Sequence, residues 1–263
     1  MFQYKMIEQN SVDSAIVQGV FDWSHCLSIL KPGAFLLALS SNKTHHRMTC
    51  AIEDAGFEIR DMIAWLHSGE MTPITIARKP LSEKTIVENV LKWGTGGLNI
   101  DGCRIGIEIV ETHSKGRTEA YSKRPTEKTV AESGRRTPQN RIEFVGNPRT
   151  GRFPANFIHD GSEEVIKLFP ETTSGSLKKG TPYNHTNCNT MGNATGCYTK
   201  DFNSNSGSAA RFFYRADDLL SLFSYLCKLV APFGGSIFNP LNDNILSTAI
   251  QREGFNEVID TGS

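Results

Sequence analysis

The sequence predicts an α/β protein in which a parallel sheet is flanked by helices and interrupted by a loop-rich insert. Two observations predict this fold class. Strand-like apolar runs alternate with helix-period segments over the first 100 residues and again from residue 208, an order that builds parallel sheets. Between them lies a long stretch rich in Gly, Ser, Thr and Asn with few residues to bury, which is typical of loops.

The first part of the chain alternates strands and helices at short spacing. Residues 35–40 are continuously apolar, as expected for a strand buried on both faces. The run Lys31-Pro32-Gly33 before them is expected to break a helix, and Asn42 and Gly56 are suitable start and stop residues for the next helix. We therefore expect strands at residues 14–17, 35–40, 57–65 and 74–77, and helices at 22–30, 44–55 and 82–91.

Regular structure is expected to resume after the insert. Residues 209–214 are strand-like, and residues 217–230 have the spacing of an amphipathic helix. A turn at residues 232–235 precedes a strand at 236–238, a helix at 245–253 and a strand at 257–259. We expect residues 1–100 and 208–263 to form the α/β core and residues 101–207 to form the insert, with disorder within 171–207.

Composition excludes several classes of protein. The 28 Lys and Arg balance 28 Asp and Glu, which rules out a wholly basic nucleic-acid coat protein. No apolar run approaches the roughly 20 residues of a membrane helix, and the first residues lack the apolar stretch of a secretory signal, so we expect a cytoplasmic protein without membrane contact. Six scattered cysteines without a CxxC pair indicate reduced thiols. His185, Cys188 and Cys197 approach a metal site most nearly, but three ligands without a fourth favour ordinary loop residues, and we predict no metal.

Eight runs of residues, spread in order over most of the chain, carry a resemblance to a known family. They are residues 10–14 (NSVDS), 29–34 (ILKPGA), 51–62 (AIEDAGFEIRDM), 77–85 (ARKPLSEKT), 94–101 (GTGGLNID), 151–156 (GRFPAN), 208–214 (SAARFFY) and 232–235 (PFGG). Through them the chain resembles the site-specific DNA methyltransferases that modify adenine N6 or cytosine N4, in the order with the catalytic motif before the cofactor motif. The resemblance implies a Rossmann-like methyltransferase sheet, S-adenosylmethionine as cofactor and double-stranded DNA as partner.

The catalytic motif of that family, Asp-Pro-Pro-Tyr, is altered. In the family its acid accepts a hydrogen bond from the target amine, and its aromatic ring stacks on the flipped-out base. By position the motif falls on Gln18, Gly19, Val20 and Phe21, where only the aromatic residue remains. Because electrostatic stabilisation is usually the largest catalytic term, the uncharged Gln18 predicts impaired catalysis. Two interpretations of Phe21 stay open, a base-stacking platform and a core residue.

The cofactor motif is altered as well. In the family, Asp-Pro-Phe-x-Gly-x-Gly forms a glycine turn that approaches S-adenosylmethionine closely. The corresponding positions include Asn239, Pro240 and Asp243, and both glycines are missing. Asp260 stands where the family places an acid for the ribose hydroxyls. We expect weak or absent cofactor binding.

A basic segment lies where the family carries its target-recognition region. Residues 104–152 hold eleven Lys and Arg against six Glu and no Asp, a local net charge of +5. Lys123, Arg124, Arg135 and Arg136 form its closest pairs, for which phosphate contact is favoured over base reading, with a solvated surface as the alternative. The run at residues 77–85 leaves packing and DNA contact equally open.

Three hypotheses for the function remain. The first is a degenerate methyltransferase-fold protein that binds DNA or a partner in DNA modification or restriction without transferring methyl groups, and we favour it. The second is an active methyltransferase with deviant motifs that holds the amine with Gln18 and backbone carbonyls. The third is a binding module that contacts its partner through the polar residues 171–208.

Overall fold

In the computed structural model the chain forms two compact units. The structure describes residues 7–110, 113–115, 143–145, 149–176, 178, 182–185, 194–197 and 204–259, with side chains for 7–106, 150–176, 178 and 204–259. One unit comprises Met1–Cys103 together with Pro154–Ser263, and the other comprises Arg104–Phe153. No helix among the described residues is long and apolar enough to cross a membrane.

Before residue 101 and from residue 217 onward, the strands and helices follow the order that the sequence predicts. The strands are β1 (Val12–Gln18), β2 (Leu30–Leu39), β3 (Glu58–His67), β4 (Glu70–Arg78), β5 (Ile105–Val110), β6 (His113–Lys115), β7 (Glu143–Val145), β8 (Arg149–Arg152), β9 (Phe157–His159), β10 (Glu171–Ser174), β11 (Pro182–His185), β12 (Ala194–Cys197), β13 (Asn205–Ser208), β14 (Tyr214–Arg215), β15 (Ser236–Asn239) and β16 (Asn256–Ile259). The helices are α1 (Trp23–Ile29), α2 (His45–Asp54), α3 (Ile86–Trp93), α4 (Glu163–Ile166), α5 (Leu219–Val230) and α6 (Asn244–Arg252).

An eight-stranded sheet forms the centre of the larger unit, in the order β14-β9-β3-β4-β2-β1-β15-β16. Its pairs are parallel except those of β4, which runs antiparallel to both β2 and β3. The exception arises because β3 and β4 form a hairpin whose two-residue turn, Ser68-Gly69, has positive φ at both positions, as such turns require. This mostly parallel, Rossmann-like sheet with its helices confirms the predicted fold class.

Both faces of β2 are buried, which explains its continuous apolar run. Its alternate residues face opposite sides. Phe35 and Leu37 belong to a core with residues of α5 and α6, whereas Leu36 and Ala38 belong to a second core with residues of α1 and α2. A strand covered on both faces has no position for exposed polar side chains.

Local side-chain contacts set the helix boundaries. Asp22 caps α1 by accepting hydrogen bonds from two backbone amides, and Asp218 caps α5. Thr85 and Glu88 form a reciprocal capping box that starts α3 four residues later than the sequence predicted, and Gly94 ends that helix in the left-handed conformation. The predicted cap Asn42 is wrong, because Thr44 holds the cap position of α2 and makes no side-chain capping bond.

The structure differs from the sequence prediction at three further segments. The strand expected at residues 209–214 is wrong: Ala209–Phe212 is a 3-10 helix, capped by the Ser208 hydroxyl, and only β14 is extended. Helix α1 ends directly before Lys31-Pro32-Gly33, as expected, but this run already belongs to β2, which begins at Leu30 and not at residue 35. At the ends of the polar segment expected to be a loop, β10 pairs with β13.

Strand β9 lies within residues 101–207, the range predicted as the insert, yet it belongs to the central sheet. It pairs in parallel with both β3 and β14, and its Ile158 is completely buried. Three residues give too short a pattern to separate a buried strand from a loop. In the smaller unit, β5 pairs with β8 and β6 with β7, both antiparallel.

Candidate ligand site at the carboxyl edge of the sheet

The strand order places a switch point between β1 and β15. The chain leaves β1 through α1 to β2 on one side, and leaves β15 through α6 to β16 on the other. In open α/β sheets ligands bind in the crevice outside the carboxyl ends of two such strands. β1 and β15 are paired in parallel, so the segments Gln18–Phe21 and Asn239–Asp243, more than 200 positions apart, meet at this crevice.

The end of β1 presents an uncharged amide to solvent. Gln18 is its last residue and is exposed, as is Val20. Gly19 between them has φ +118° and donates its amide hydrogen to the Leu39 carbonyl at 3.2 Å. That dihedral angle is accessible to glycine and rarely to other residues, so the backbone conformation after β1 requires glycine at this position.

Phe21 packs into the protein from the crevice. Its ring meets Phe238 edge-on at a centroid distance of 5.7 Å and lies 6.2 Å from the His25 ring at a tilted angle. The side chain is half-buried beside the core of α1 and α2. These contacts favour the core interpretation of Phe21.

The end of β15 is organised by its own side chains. Asn239 is buried, and its Nδ2 lies 3.0 Å from the Asp243 carbonyl, 3.1 Å from Ser247 Oγ and 2.8 Å from Glu257 Oε1. Its Oδ1 accepts the Asp243 amide at 3.1 Å. The side-chain amide of Asn239 therefore uses both its donor and its acceptor group in hydrogen bonds within the turn, with α6 and with β16.

The N-terminus of α6 is capped by a carboxylate. Asp243 Oδ1 accepts the backbone amides of Ile245 and Leu246 at 2.8 and 2.9 Å. Amides at a helix N-terminus are otherwise ready to bind an anionic ligand. Asp243 was predicted to bind the cofactor, but its carboxylate already caps α6.

An apolar side chain stands across the crevice. The nearest atom to a Cβ built on Gly19 is Leu241 Cδ1, at 3.7 Å. Leu241 and Ile245 are both more than one third exposed, and Pro240 is buried. At the end of the next strand of the sheet, β2, the Ser40 hydroxyl lies 3.1 Å from His45 Nδ1. No sequence motif predicts this contact.

The structure does not describe the side chains of the remaining predicted site residues. Asp260, Lys123, Arg124, Arg135 and Arg136 lie outside the described residues, as does Cys188, and the side chains of His185 and Cys197 are likewise not described. Within the part of the chain that the structure describes, no three His, Cys, Asp or Glu residues are grouped to hold a metal ion.

Several runs that carry the family resemblance meet at the opposite, amino edge of the sheet. Asn89 Nδ2 donates to the Pro32 and Thr95 carbonyls, both at 2.8 Å, and Lys79 Nζ donates to the Leu30 carbonyl at 2.7 Å. Arg78, buried, forms an ion pair with Glu58 at 2.6 Å. These contacts favour packing over DNA contact for residues 77–85.

Solved structures resemble the chain at low identity. M1.HpyAVI in complex with SAM is 10% identical over 97% of this chain and 84% of its own, with a TM-score of 0.41. The PvuII DNA methyltransferase, cytosine-N4-specific, is 7% identical over 96% and 76%, with a TM-score of 0.44. TTHA0409 of Thermus thermophilus, assigned as a DNA modification methylase, is 12% identical over 96% and 82%, with a TM-score of 0.41. No protein-family model and no curated protein matches the chain.

Proposed function

We propose that the chain is a relative of the DNA adenine and cytosine amino-methyltransferases in which methyl transfer is lost and a role in binding DNA, or a partner in DNA modification, remains. The observation that carries the proposal is the switch point itself. There the last residue of β1, at the position of the family's acid, is the exposed and uncharged Gln18.

The reaction needs a negative charge at this position. As an exocyclic amine attacks the sulfonium methyl group, positive charge develops on its nitrogen, and a carboxylate stabilises that charge where an amide carbonyl offers only a dipole. The loss of one fixed hydrogen-bond donor in an enzyme costs about 2.7–4 kcal/mol in the barrier. Loss of a full charge, on a turn built around glycine, is expected to cost at least as much.

The described residues also fit S-adenosylmethionine poorly. A ligand carboxylate has no open amides at the start of α6, because Asp243 caps them. The turn after β15 has no glycine, and Leu241 stands opposite Gly19. The resemblance implies the cofactor, whereas the geometry supports weak binding or none.

The role that we assign instead is contact with duplex DNA through the basic segment at residues 104–152. Its local charge of +5 lies in a chain with no net charge, so attraction to phosphates would be local to this segment. Lys123, Arg124, Arg135 and Arg136 are the residues we expect to make phosphate contacts. Partner binding through residues 171–208 is the second candidate, because those residues offer many polar groups and few to bury.

The test of lost catalysis combines cofactor binding with methyl transfer. We expect titration calorimetry to show no micromolar binding of S-adenosylmethionine, and no labelled methyl groups to appear on duplex DNA. Gln18→Asp should not restore methyl transfer, because Asp243 still caps the amides of α6 and the turn after β15 still lacks glycine. Labelled DNA that disappears with Gln18→Ala, but persists with Gln251→Ala on the exposed face of α6, would establish the active-enzyme alternative and end the proposal.

The test of DNA contact uses salt dependence. We expect the double variant Lys123→Ala, Arg124→Ala to weaken duplex binding at all sequences and to reduce the slope of affinity against salt by about two charges. Lys167→Ala with Arg252→Ala, which removes two exposed charges elsewhere, is the matched control. An unchanged slope in the first variant would reject these residues as phosphate contacts.

A further inference from the structure

Helix α3 presents its apolar side to solvent. Its one buried residue is Asn89, and Ile86, Val87, Val90 and Leu91 are exposed, Val87 by 68% and Leu91 by 83%. A surface helix normally shows the reverse arrangement. The helix is held to the protein by the Asn89 amide, which donates to two backbone carbonyls, so the exposure does not come from a detached helix.

A pocket of about 170 Å³ adjoins this helix. Its lining includes Val90 and Leu98 from the α3 side and Val230 and Pro232 from the end of α5. Phe233, the next residue, is fully exposed. We call the exposed residues of α3, this pocket and Phe233 the α3 surface; it therefore combines a protruding ring with a neighbouring recess.

The charges at the rim of the α3 surface balance. Glu83 and Lys92 form an ion pair at 2.6 Å, and Lys84 and Glu88 are both exposed. Nucleic acid requires an excess of positive charge, which this rim lacks. A neutral rim around a ring and a recess is instead complementary to itself, as an interface between two identical chains must be.

The size of the α3 surface also suits an interface with a second copy of the chain. A stable interface buries roughly 800 Å² on each partner, of which about 65% is apolar between identical chains, so roughly 500 Å² of apolar surface is required. One exposed aromatic ring contributes about 150–250 Å², and four aliphatic side chains supply the remainder. Apolar patches of that size on soluble proteins commonly mark interaction sites.

We propose that the α3 surface joins two copies of the chain about a two-fold axis, with the Phe233 ring of each copy seated in the pocket of the other. Its pocket is lined by Ala34 and Phe35 of β2. Phe35 pairs with Ser14 near the start of β1 and with Arg78 at the end of antiparallel β4, so the interface lies towards the amino edge of the sheet. The switch-point crevice lies at the carboxyl edge and stays accessible in the dimer. Pairing is thus independent of methyl transfer and of cofactor binding.

Sedimentation equilibrium of the full chain over a range of concentrations tests the proposal. We expect a mass of twice the 29.1 kDa of one chain and a dissociation constant raised roughly 30-fold by Phe233→Ser, the effect expected for a central aromatic residue. Leu91→Glu should give monomers, because it places two like charges near the axis. Both residues are exposed, so the far-ultraviolet circular dichroism and the unfolding transition should be unchanged.

Leu168→Glu is the matched control, because Leu168 is 75% exposed and lies outside the α3 surface. It should leave the dissociation constant of the dimer unchanged. A monomeric wild-type chain at every concentration would overturn the proposal. So would a dimer that Phe233→Ser and Leu91→Glu leave intact, since another surface would then form it.

Discussion

Asn239 Nδ2 lies 2.8 Å from Glu257 Oε1, so the last residue of β15 donates a hydrogen bond to a carboxylate on β16. Glu257 also accepts the Ser247 hydroxyl of α6 at 2.5 Å. The amide and the carboxylate therefore join a strand, a helix and a turn at the place where the resemblance implies an Asp. A second carboxylate at that position would face Glu257 without a proton between them, so the two residues are matched to each other.

Asn239→Asp, the substitution that restores the family residue, is expected to destabilise the protein by about 2–4 kcal/mol at pH 7, because two carboxylates sharing a buried site force one to take up a proton. In the folded variant the pKa of the carboxyl that takes up the proton is raised, so the destabilisation becomes smaller as the pH falls from 7 to 5. Urea unfolding at both pH values measures it. Asn239→Asp with Glu257→Gln should recover most of the stability, since Gln supplies a donor.

Asn242→Asp is the control for this prediction, because it adds the same charge to the same turn at a residue that is not buried. Its φ of +50° is accessible to both Asn and Asp, so we expect a change within about 0.5 kcal/mol. If Asn239→Asp were no more destabilising than Asn242→Asp, the hydrogen bond to Glu257 would not be what fixes the turn.

The order of strands and helices could be predicted because local patterns determine it. The apolar residues 35–40 and the helix-period residues 217–230 were sufficient to place β2 and α5. β9 could not be predicted, because its three residues carry no period and its place depends on pairing with β3 and β14. The 3-10 helix at Ala209–Phe212 likewise depends on the Ser208 cap, against the strand propensity of its aromatic neighbours.

For the candidate site, the sequence predicted which residues occupy the motif positions but not what they contact. Gln18 and Asn239 were both identified by position alone. The commitment of Asn239 to Glu257, and of Asp243 to the amides of α6, depends on side-chain directions that no spacing reveals. The hydrogen bonds within the turn after β15 are therefore a structural finding that the sequence could not supply.

Gly33→Ala is expected to destabilise the protein by about 3–5 kcal/mol. Gly33 has φ +81°, and an added Cβ would lie 2.5 Å from Asn89 Nδ2. The Asn89 amide would have to leave the Pro32 and Thr95 carbonyls, and unpaired buried groups cost about 1–3 kcal/mol each. The free energy of unfolding from urea titration measures the effect.

Gly94→Ala is the control for Gly33→Ala, because it separates the free-energy cost of the backbone conformation from the cost of the steric clash. Gly94 has a similar φ of +75°, but nothing lies within 4 Å of its added Cβ. We expect a loss of about 1–2 kcal/mol, the cost of a left-handed residue with a side chain. Equal losses at both glycines would show that Asn89 adjusts freely and does not fix the amino edge of the sheet.

His45 should make stability fall as the pH drops below neutrality. Burial, and next the charge of His46, lower the pKa of His45 from its usual value of 6.5, and its Nδ1 lies 3.1 Å from the Ser40 hydroxyl. The unfolded chain then binds the proton more readily, so this contribution is complete above about pH 6.5 and is lost as the pH falls through that value. Urea unfolding between pH 8 and 5.5 should show the loss, and His45→Gln should remove it. His46→Gln should only reduce it, because burial is the larger cause. A pKa for His45 at or above 6.5 in an NMR titration of the folded protein would contradict this account.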